Sequence, residues 1–416
     1  MKNHNILVRI KQTLIELIPS KDSRTNISPL DFVVSLIFCY ISDSKTPSLE
    51  SIRREMKSIL NQNICKSSFW ERLSRQRLKN FLYIVVSGLI VELSNKTLNG
   101  IDLLTSLGVI QILLVDSSSI SLWDGAKEDF PGTRTTAGIK WHACFDLLSG
   151  VMTWFKLTPT STNDSQRFPE LKDIAKKLFI FDLGYWSFDL LQSIDLANGF
   201  FLSRLKSNTV IQVKEVVFGM SKIQVGMFLK SIVFKNKRGN VIEFIGEKEH
   251  KKEFLNYRVI GFWNPSERVY HWYITNLKVS AFAIYPLYRL RWQIELIFKG
   301  CKSSLNANRL TSNQSNIIES LLLASIAAHL VSTTILHVGI NQMNDKQKLA
   351  ISFQRIAKIS AILSKNFLLF FINTSKEYLE ILINKIFLFS NEIFDPNYKN
   401  RNSSLAQLKL ALESIK

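Results

Sequence analysis

The sequence predicts a mixed α/β fold: a sheet flanked by helices, with a β-rich insertion and helical regions at both ends. Three observations predict it. Residues 1–108 carry helical patterning. From 109 onward, short apolar runs rich in β-branched residues alternate with turns and amphipathic segments. Residues 207–279 then return to strand patterning before a strong helix opens near Pro286. At 416 residues the chain is long enough for two or three domains, one with a sizeable core.

In the first region, Asn26-Ile27-Ser28-Pro29 reads as a helix start ahead of the apolar run Phe32–Tyr40. A second start at Ser67-Ser68 would place Arg72, Arg75 and Lys79 on one helical face, either against phosphates or simply in solvent. Ile110–Ser118 is then a buried strand. Ile139–Asp146 and Val151–Thr158 follow as a hairpin across the turn Leu147–Gly150. Asn163 or Asp164 is expected to cap an amphipathic segment reaching Lys177. Leu178–Asp182 is a fourth strand, Ser187–Ala197 a helix and Phe200–Lys206 a fifth strand. The order β-β-β-α-β-α-β implies a mixed sheet with helices on its faces.

The insertion contains candidate strands Val210–Val217, Ser231–Phe234, Val241–Ile245, Tyr257–Phe262 and Val269–Thr275. Lys237-Arg238-Gly239-Asn240 and Asn264-Pro265 are its turns. The helix over 286–303 starts at Pro286, which suits a first helical turn. The segment beyond 303 is helical. The expected domains are therefore 1–108, 109–310 with the insertion at about 207–279, and 311–416.

Composition narrows the partner. The formal charge is +19, and it is unevenly distributed: +7 over residues 1–80, −4 over 81–203, +11 over 204–302 and +5 beyond. Two basic arms around an acidic middle suit a protein that holds a polyanion against carboxylates. The bland alternative is a Lys-rich solubilising surface. Cys39, Cys65, Cys144 and Cys301 have no C-x-x-C spacing, so neither a zinc site nor a disulfide framework is expected. The N-terminal Met-Lys-Asn-His-Asn does not read as a secretory leader. Leu321–Ile340 is twenty residues without a full charge, long enough to span a bilayer. Its two histidines and four Ser/Thr residues favour a buried helix instead, and no membrane partner is expected.

The chemistry concentrates on the helix at 286–303. At ~100° per residue, Tyr288, Arg291, Glu295 and Lys302 fall within about a 60° arc beside an apolar stripe of Leu287, Leu290, Ile294, Ile297, Phe298 and Cys301. A carboxylate there can bind a divalent metal while a guanidinium forks onto phosphate. An incidental i, i+4 charge pair is the plain alternative. Asp116 and Asp182 sit at the ends of the first and fourth strands, where open sheets gather ligands. Facing Glu295, the two aspartates would hold two Mg²⁺ ions, with Mn²⁺ as a substitute. Either aspartate alone is more commonly a strand-end cap.

Tyr288-x₂-Arg291-x₃-Glu295-x₆-Lys302 resembles the Tyr-Arg-Glu-Lys signature of transposases from family four of the bacterial insertion sequences. Leu113-Leu114-Val115-Asp116 resembles the family's first catalytic block, and Asp182-Leu183-Gly184-Tyr185 the second. Phe201-Leu202-Ser203-Arg204-Leu205-Lys206 resembles the following strand, and Gly138-Ile139-Lys140-Trp141-His142 the second-strand block. The likeness covers about 109–310 and implies a ribonuclease-H-like fold with a β insertion ahead of the glutamate helix. It makes Asp116, Asp182 and Glu295 the catalytic metal ligands, and Tyr288, Arg291, Lys302 and Arg204 DNA contacts. Trp272 would stack a flipped base, although its strand position equally suits a core tryptophan.

Leu183 departs from a basic residue common in the family, and Ser117-Ser118 from a Gly-Thr-like pair; neither change removes a ligand. The resemblance further implies double-stranded DNA partners (terminal repeats and target), a homodimer on DNA, and a bacterial cytoplasmic, nucleoid-associated protein. A nuclease or junction resolvase of the same fold, and an inactive DNA-binding remnant, are the competing readings.

Overall fold

A computed structural model describes residues 5–18, 26–42, 48–94, 101–219, 222–233, 241–305, 307, 310, 312–339, 351–373 and 375–394. Strands β1 (Gln111–Ser121), β2 (Gly138–Asp146) and β3 (Met152–Pro159) form an antiparallel meander. On the other side of β1, β4 (Lys177–Phe181) and β5 (Phe200–Leu205) run parallel to it. The resulting order, β3-β2-β1-β4-β5, is the ribonuclease-H-like arrangement.

The β-rich insertion does not form a sheet of its own. Its strands β6 (Gln212–Phe218), β7 (Val241–His250), β8 (Glu253–Asn264) and β9 (Val269–Thr275) extend the same sheet to nine strands, ending β5-β9-β8-β7-β6. The joint is β9, which pairs antiparallel with β5 from Leu202↔Thr275 to Leu205↔Trp272. The segment expected as a strand at Ser231–Phe234 instead begins with a 3₁₀ turn, Leu229–Ser231. The Lys237–Asn240 turn lies outside the described residues.

Strand alternation divides the core into two clusters. Ile112, Leu114, Leu178, Ile180, Leu202 and Tyr273 face a layer of helices. Leu113, Val115, Phe179, Phe181, Phe201, Trp272 and Ile274 face the opposite side, where α7 (Phe188–Leu196) packs. Before β1 come α1 (Asn5–Leu17), α2 (Pro29–Ile41), α3 (Leu49–Leu60), α4 (Lys66–Ser74), α5 (Gln76–Ser94) and α6 (Ile101–Leu107). The insertion leads into α8 (Ala281–Arg289) and α9 (Trp292–Ser304). These are followed by α10 (Ser315–Gly339), α11 (Phe353–Ile362), α12 (Ser364–Ile372) and α13 (Lys376–Leu388).

The Ser28 side chain caps α2 by accepting from the Asp31 N–H, as expected of Ser-Pro at a helix start. α10 is long and apolar enough to cross a membrane, yet the whole of its apolar window is buried. It packs against α2 and α5, so the N- and C-terminal helices form one layer rather than two separate ones.

Three local expectations are corrected. No α-helix follows Asn163: a single 3₁₀ turn, Asp164–Gln166, takes its place. The Asn163 side chain makes no cap bond, and the Asp164 carboxylate is engaged by Ser117 and Lys140. The basic face at 72–79 is broken because α4 ends at Arg75. Arg72 donates to the Ile27 carbonyl at 2.8 Å, Arg75 pairs with Glu71, and Lys79 pairs with Glu319 at 3.1 Å. Each of these cations has a partner within the protein, that of Arg75 being an exposed surface pair. Finally, the helix expected at 286–303 is two helices, with Pro286 inside the first. Ser280 caps that helix at the Phe282 N–H, so it starts at Ala281, five residues before Pro286.

Two buried histidines make stability pH-dependent. Burial pushes His142 down to about 4 and His329 down to about 4, both from 6.5. A pKa lower in the folded than in the unfolded chain favours the unfolded state in acid. The stabilisation is complete above about 6.5 and is lost as pH falls toward 4, by at most roughly 3 kcal/mol per histidine. Thermal melting should therefore decline across that window. His329→Gln should flatten the decline, and an unchanged slope in that variant would contradict it.

Candidate active site

Asp116 follows Ile112 and Leu114 on β1 in steps of two, so its carboxylate points to the helical face. Asp182 follows Leu178 and Ile180 in the same phase, one residue beyond β4. Asp116 does not end its strand as expected. β1 continues to Ser121 because it remains paired with β2. What ends at Asp116 is the parallel partner, since the last β1–β4 pair is Val115↔Phe181. Both aspartates therefore stand where β1 and β4 part.

The third acid arrives on α9. Ile294, Ile297, Phe298 and Cys301 seat this helix on the sheet. The Phe298 ring meets Trp141 edge-on at 5.0 Å and Phe145 at 6.1 Å. Each fully buried apolar side chain of this kind contributes roughly 1.5–3 kcal/mol. Between α8 and α9, Leu290 and Arg291 keep helical angles but bond in tight i→i+3 turns: Leu290 N–H to the Leu287 carbonyl and Arg291 N–H to the Tyr288 carbonyl. That tight turn sets Arg291 between the strand ends and the glutamate.

Arg291 donates from Nη1 to Asp116 Oδ2 at 2.5 Å and from Nη2 to Glu295 Oε1 at 2.6 Å. Tyr288 Oη donates to Asp182 Oδ1 at 3.2 Å. Asp116 Oδ1 also accepts the Ser117 N–H at 2.8 Å. The acids thus fall into two neighbouring hydrogen-bonded sets, Asp116–Arg291–Glu295 and Asp182–Tyr288, with the Arg291 guanidinium 5.8 Å from the centre of the Tyr288 ring. Lys302 lies two turns past Glu295 and donates to the Ser119 carbonyl at 2.7 Å.

Electrostatics agree with convergence. Burial pushes the Asp116 carboxyl up to about 6; Arg291 and the Ser117 amide pull it down, while Asp182 and Glu295 push it further up. Burial alone would lower the Arg291 pKa, but Asp116, Tyr288 and Glu295 raise it above the usual guanidinium range. Burial raises Tyr288 and lowers Lys302.

Among the described residues, no three carboxylate, imidazole or thiol groups stand at metal-sharing distance. The Arg291 fork separates Asp116 from Glu295. The donor set still fits a hard divalent cation, since it offers three carboxylates and nothing soft. The Arg291 Nε is buried without a partner, as a guanidinium kept for a further acceptor would be.

Two clefts of about 360 Å³ lie at the site, the first lined in part by Glu295 and the second by Tyr288 and Arg291. One is lined by Ser117, Ser118, Lys299, Lys302 and Ser303. The other contains Arg204, His271, Tyr285, Arg289 and Trp292. Arg204 follows Leu202 in phase and so shares the helical face, as expected of a residue near the site. Trp272 does not. It pairs one step out of phase, faces the opposite core, and is 2% exposed. Its ring rests over the bare backbone of Gly261 and against Phe244 and Tyr270, at 5.9 and 5.2 Å. The core reading of Trp272 is the one its position supports. Trp292, 57% exposed beside Arg291, is the most exposed aromatic ring lining the second cleft. Sequence reasoning missed it because a helix drawn unbroken from Pro286 gives it no part in the polar arc.

The ribonuclease-H-like sheet, with Asp116, Asp182 and Glu295 on its helical side, is the setting of a DDE-type polynucleotidyl transferase. The transposase DDE domain pattern matches residues 107–331, more than half of the chain, which belongs to that family. It is a DNA transposase of the bacterial insertion-sequence type, an enzyme of DNA cleavage and strand transfer that works with a divalent metal ion.

Among its relatives is the transposase for insertion sequence element IS1151 of Clostridium perfringens. It is 25% identical over 355 residues, 74% of each chain. The transposase for element IS231F of Bacillus thuringiensis subsp. israelensis is 26% identical over 60% of this chain and 61% of that one. Among solved structures, a piggyBac transposase synaptic complex with hairpin DNA matches with a TM-score of 0.42 and 11% identity, over 93% of this chain and 83% of that one.

Proposed function

We propose that Asp116, Asp182 and Glu295 are the catalytic carboxylates. In this reading the enzyme cuts at the terminal repeats of its own element and joins the freed 3′-hydroxyl to target DNA. The observation that carries this is the single guanidinium shared by Asp116 and Glu295, with Tyr288 on Asp182 beside it. The three carboxylates would hold two Mg²⁺ ions, or Mn²⁺, whose chemistry is to activate the attacking oxygen and stabilise the departing one.

The chain's own groups do the rest. Arg291 turns from the carboxylates to a phosphate, using the fork it already presents. Tyr288 donates to the same phosphate, Lys302 steadies the strand beyond it, and Arg204 extends the cationic wall. These roles follow the Tyr-Arg-Glu-Lys subgroup of the insertion-sequence transposases. The helical regions 1–108 and 311–416, packed as one layer, would recognise the terminal repeat and pair two protomers on DNA. The setting is the bacterial cytoplasm, at the nucleoid.

The test is a supercoiled plasmid carrying the element's ends, incubated with full-length protein and Mg²⁺. Excision at the ends with joined products is expected. Nicking without regard to the ends would overturn the reading in favour of a general nuclease.

If release of the second strand unstacks a base, Trp292 is placed to receive it. Trp292→Ala should slow that step by roughly 5- to 150-fold, the ~1–3 kcal/mol of one stacked base. Trp272→Ala should instead lower the melting temperature, with about 3–5 kcal/mol lost to a core cavity. A gel assay with a hairpin-end substrate, paired with thermal melts, separates the two. The opposite assignment of effects would refute this placement.

A further inference from the structure

Behind the sheet, on the face away from the three acids, a polar network is buried beneath β1 and β2. His142 is fully buried, with Nδ1 2.8 Å from Tyr185 Oη and Nε2 2.9 Å from Thr158 Oγ1. Lys140 Nζ donates to Asp164 Oδ1 at 2.9 Å, and Ser117 Oγ donates to the same oxygen at 3.2 Å. The His142 ring lies 3.7 Å from that oxygen. Asp164 also abuts the segment after Asp182: a Cβ on Gly184 would come within 3.0 Å of Asp164 Oδ2.

These contacts meet at both strand ends. Ser117 is held from two sides, its N–H by Asp116 and its hydroxyl by Asp164. Gly184 stands two residues after Asp182, and Tyr185 anchors the same turn on His142. One carboxylate therefore bonds the Ser117 hydroxyl beside Asp116 and lies against Gly184, two residues past Asp182, without reaching the acidic cluster. An ion pair with Lys140 holds it in place.

We propose that Asp164 is a positioning residue: through Ser117 and the Gly184–Tyr185 turn, it sets the spacing and aim of Asp116 and Asp182 toward a divalent ion. This rests on the metal-site reading of the two aspartates. Residues that orient metal ligands in this way typically cost roughly 10- to 100-fold in metal affinity when removed.

The test is calorimetric titration of Mn²⁺ into the DNA-free, full-length protein, with melting temperatures measured alongside. Asp164→Ala and Ser117→Ala should each weaken Mn²⁺ binding at least about tenfold. The double variant should be no weaker than the worse single, because both cut one linkage. Asp164→Asn retains an acceptor for Ser117 and should recover part of the loss. If Asp164→Ala does not fold, Ser117→Ala, which changes no charge, and Asp164→Asn carry the test. A lowered melting temperature with unchanged Mn²⁺ affinity would overturn the proposal, as would additive losses in the double variant. Asp116→Ala and Asp182→Ala separate the two levels. If they leave Mn²⁺ binding intact, the metal-site reading fails; if they abolish it while Ser117→Ala and Asp164→Asn do not weaken it, the positioning role alone fails.

Discussion

Asp182→Ala abolishes cleavage at the element's ends while leaving end binding within about twofold: this is the largest effect expected of any single substitution here. Asp182 stands at the parting of β1 and β4, in phase with Ile180, and its contact in the structure is the phenol of Tyr288. The carboxylate supports no core packing, so its loss should leave the fold and the basic DNA-contacting surfaces in place. In the proposed site, however, chemistry loses one of three oxygen-donor groups. Removing one electrostatic stabiliser from a transition state costs on the order of 10²–10³ in rate, and a metal ligand should cost at least that. A filter-binding assay beside a cleavage assay distinguishes the two quantities. Undiminished cutting would remove Asp182 from the mechanism, and parallel loss of binding would assign it a structural role.

Arg291→Ala should be the most destabilising substitution in the site. Its side chain is 14% exposed and that of Asp116 16%, and the two meet at 2.5 Å. Breaking a buried pair by removing one partner costs about 3–5 kcal/mol, because the remaining charge is stranded. The pH dependence has a definite sign. Asp116 titrates near 6 in the folded chain, above its usual 3.8, so folding disfavours its charged form. Ionisation between about pH 4 and 6 therefore costs stability, and without Arg291 that cost grows. The variant should be weakest at neutral pH and recover toward wild type near pH 4.5.

Arg291→Lys should recover less than a full charge would suggest, since an ammonium cannot fork onto Asp116 and Glu295 together. Urea unfolding at pH 7.5 and 4.5 measures this. Equal losses at both pH values would mean that Asp116 is not the stranded charge.

Most of the sheet was legible because its signals are local. Short apolar runs placed β1 through β6, the whole of β9 and about half of β7 and of β8, and Ser28-Pro29 and Ser187 marked two helix starts that the structure caps as expected. The three candidate acids came from strand ends and one polar helical arc read beside the family resemblance, although β1 runs on past Asp116. What was not legible depends on pairing across the chain. Only the register Arg204↔Tyr273 and Leu205↔Trp272 reveals that Trp272 faces away from the site. The break at Leu290-Arg291 carries no glycine or proline, so α8 and α9 read as one helix, and Trp292 was left off its polar face. Asp164 looked like a helix cap because Asn-Asp ahead of an amphipathic segment ordinarily is one. Its carboxylate is claimed instead by Ser117 and Lys140, 47 and 24 positions away, a competition that no sequence window contains.

The central claim is that three carboxylates, drawn together on one face of the sheet, share a divalent-ion pocket that Arg291 spans in this structure. Anomalous diffraction from crystals soaked in Mn²⁺ tests it most directly. The expected result is a peak coordinated by Asp116, Asp182 and Glu295, with the Arg291 guanidinium withdrawn from between them. Mn²⁺ bound elsewhere, with Arg291 still forked onto Asp116 and Glu295 at saturating metal, would contradict it.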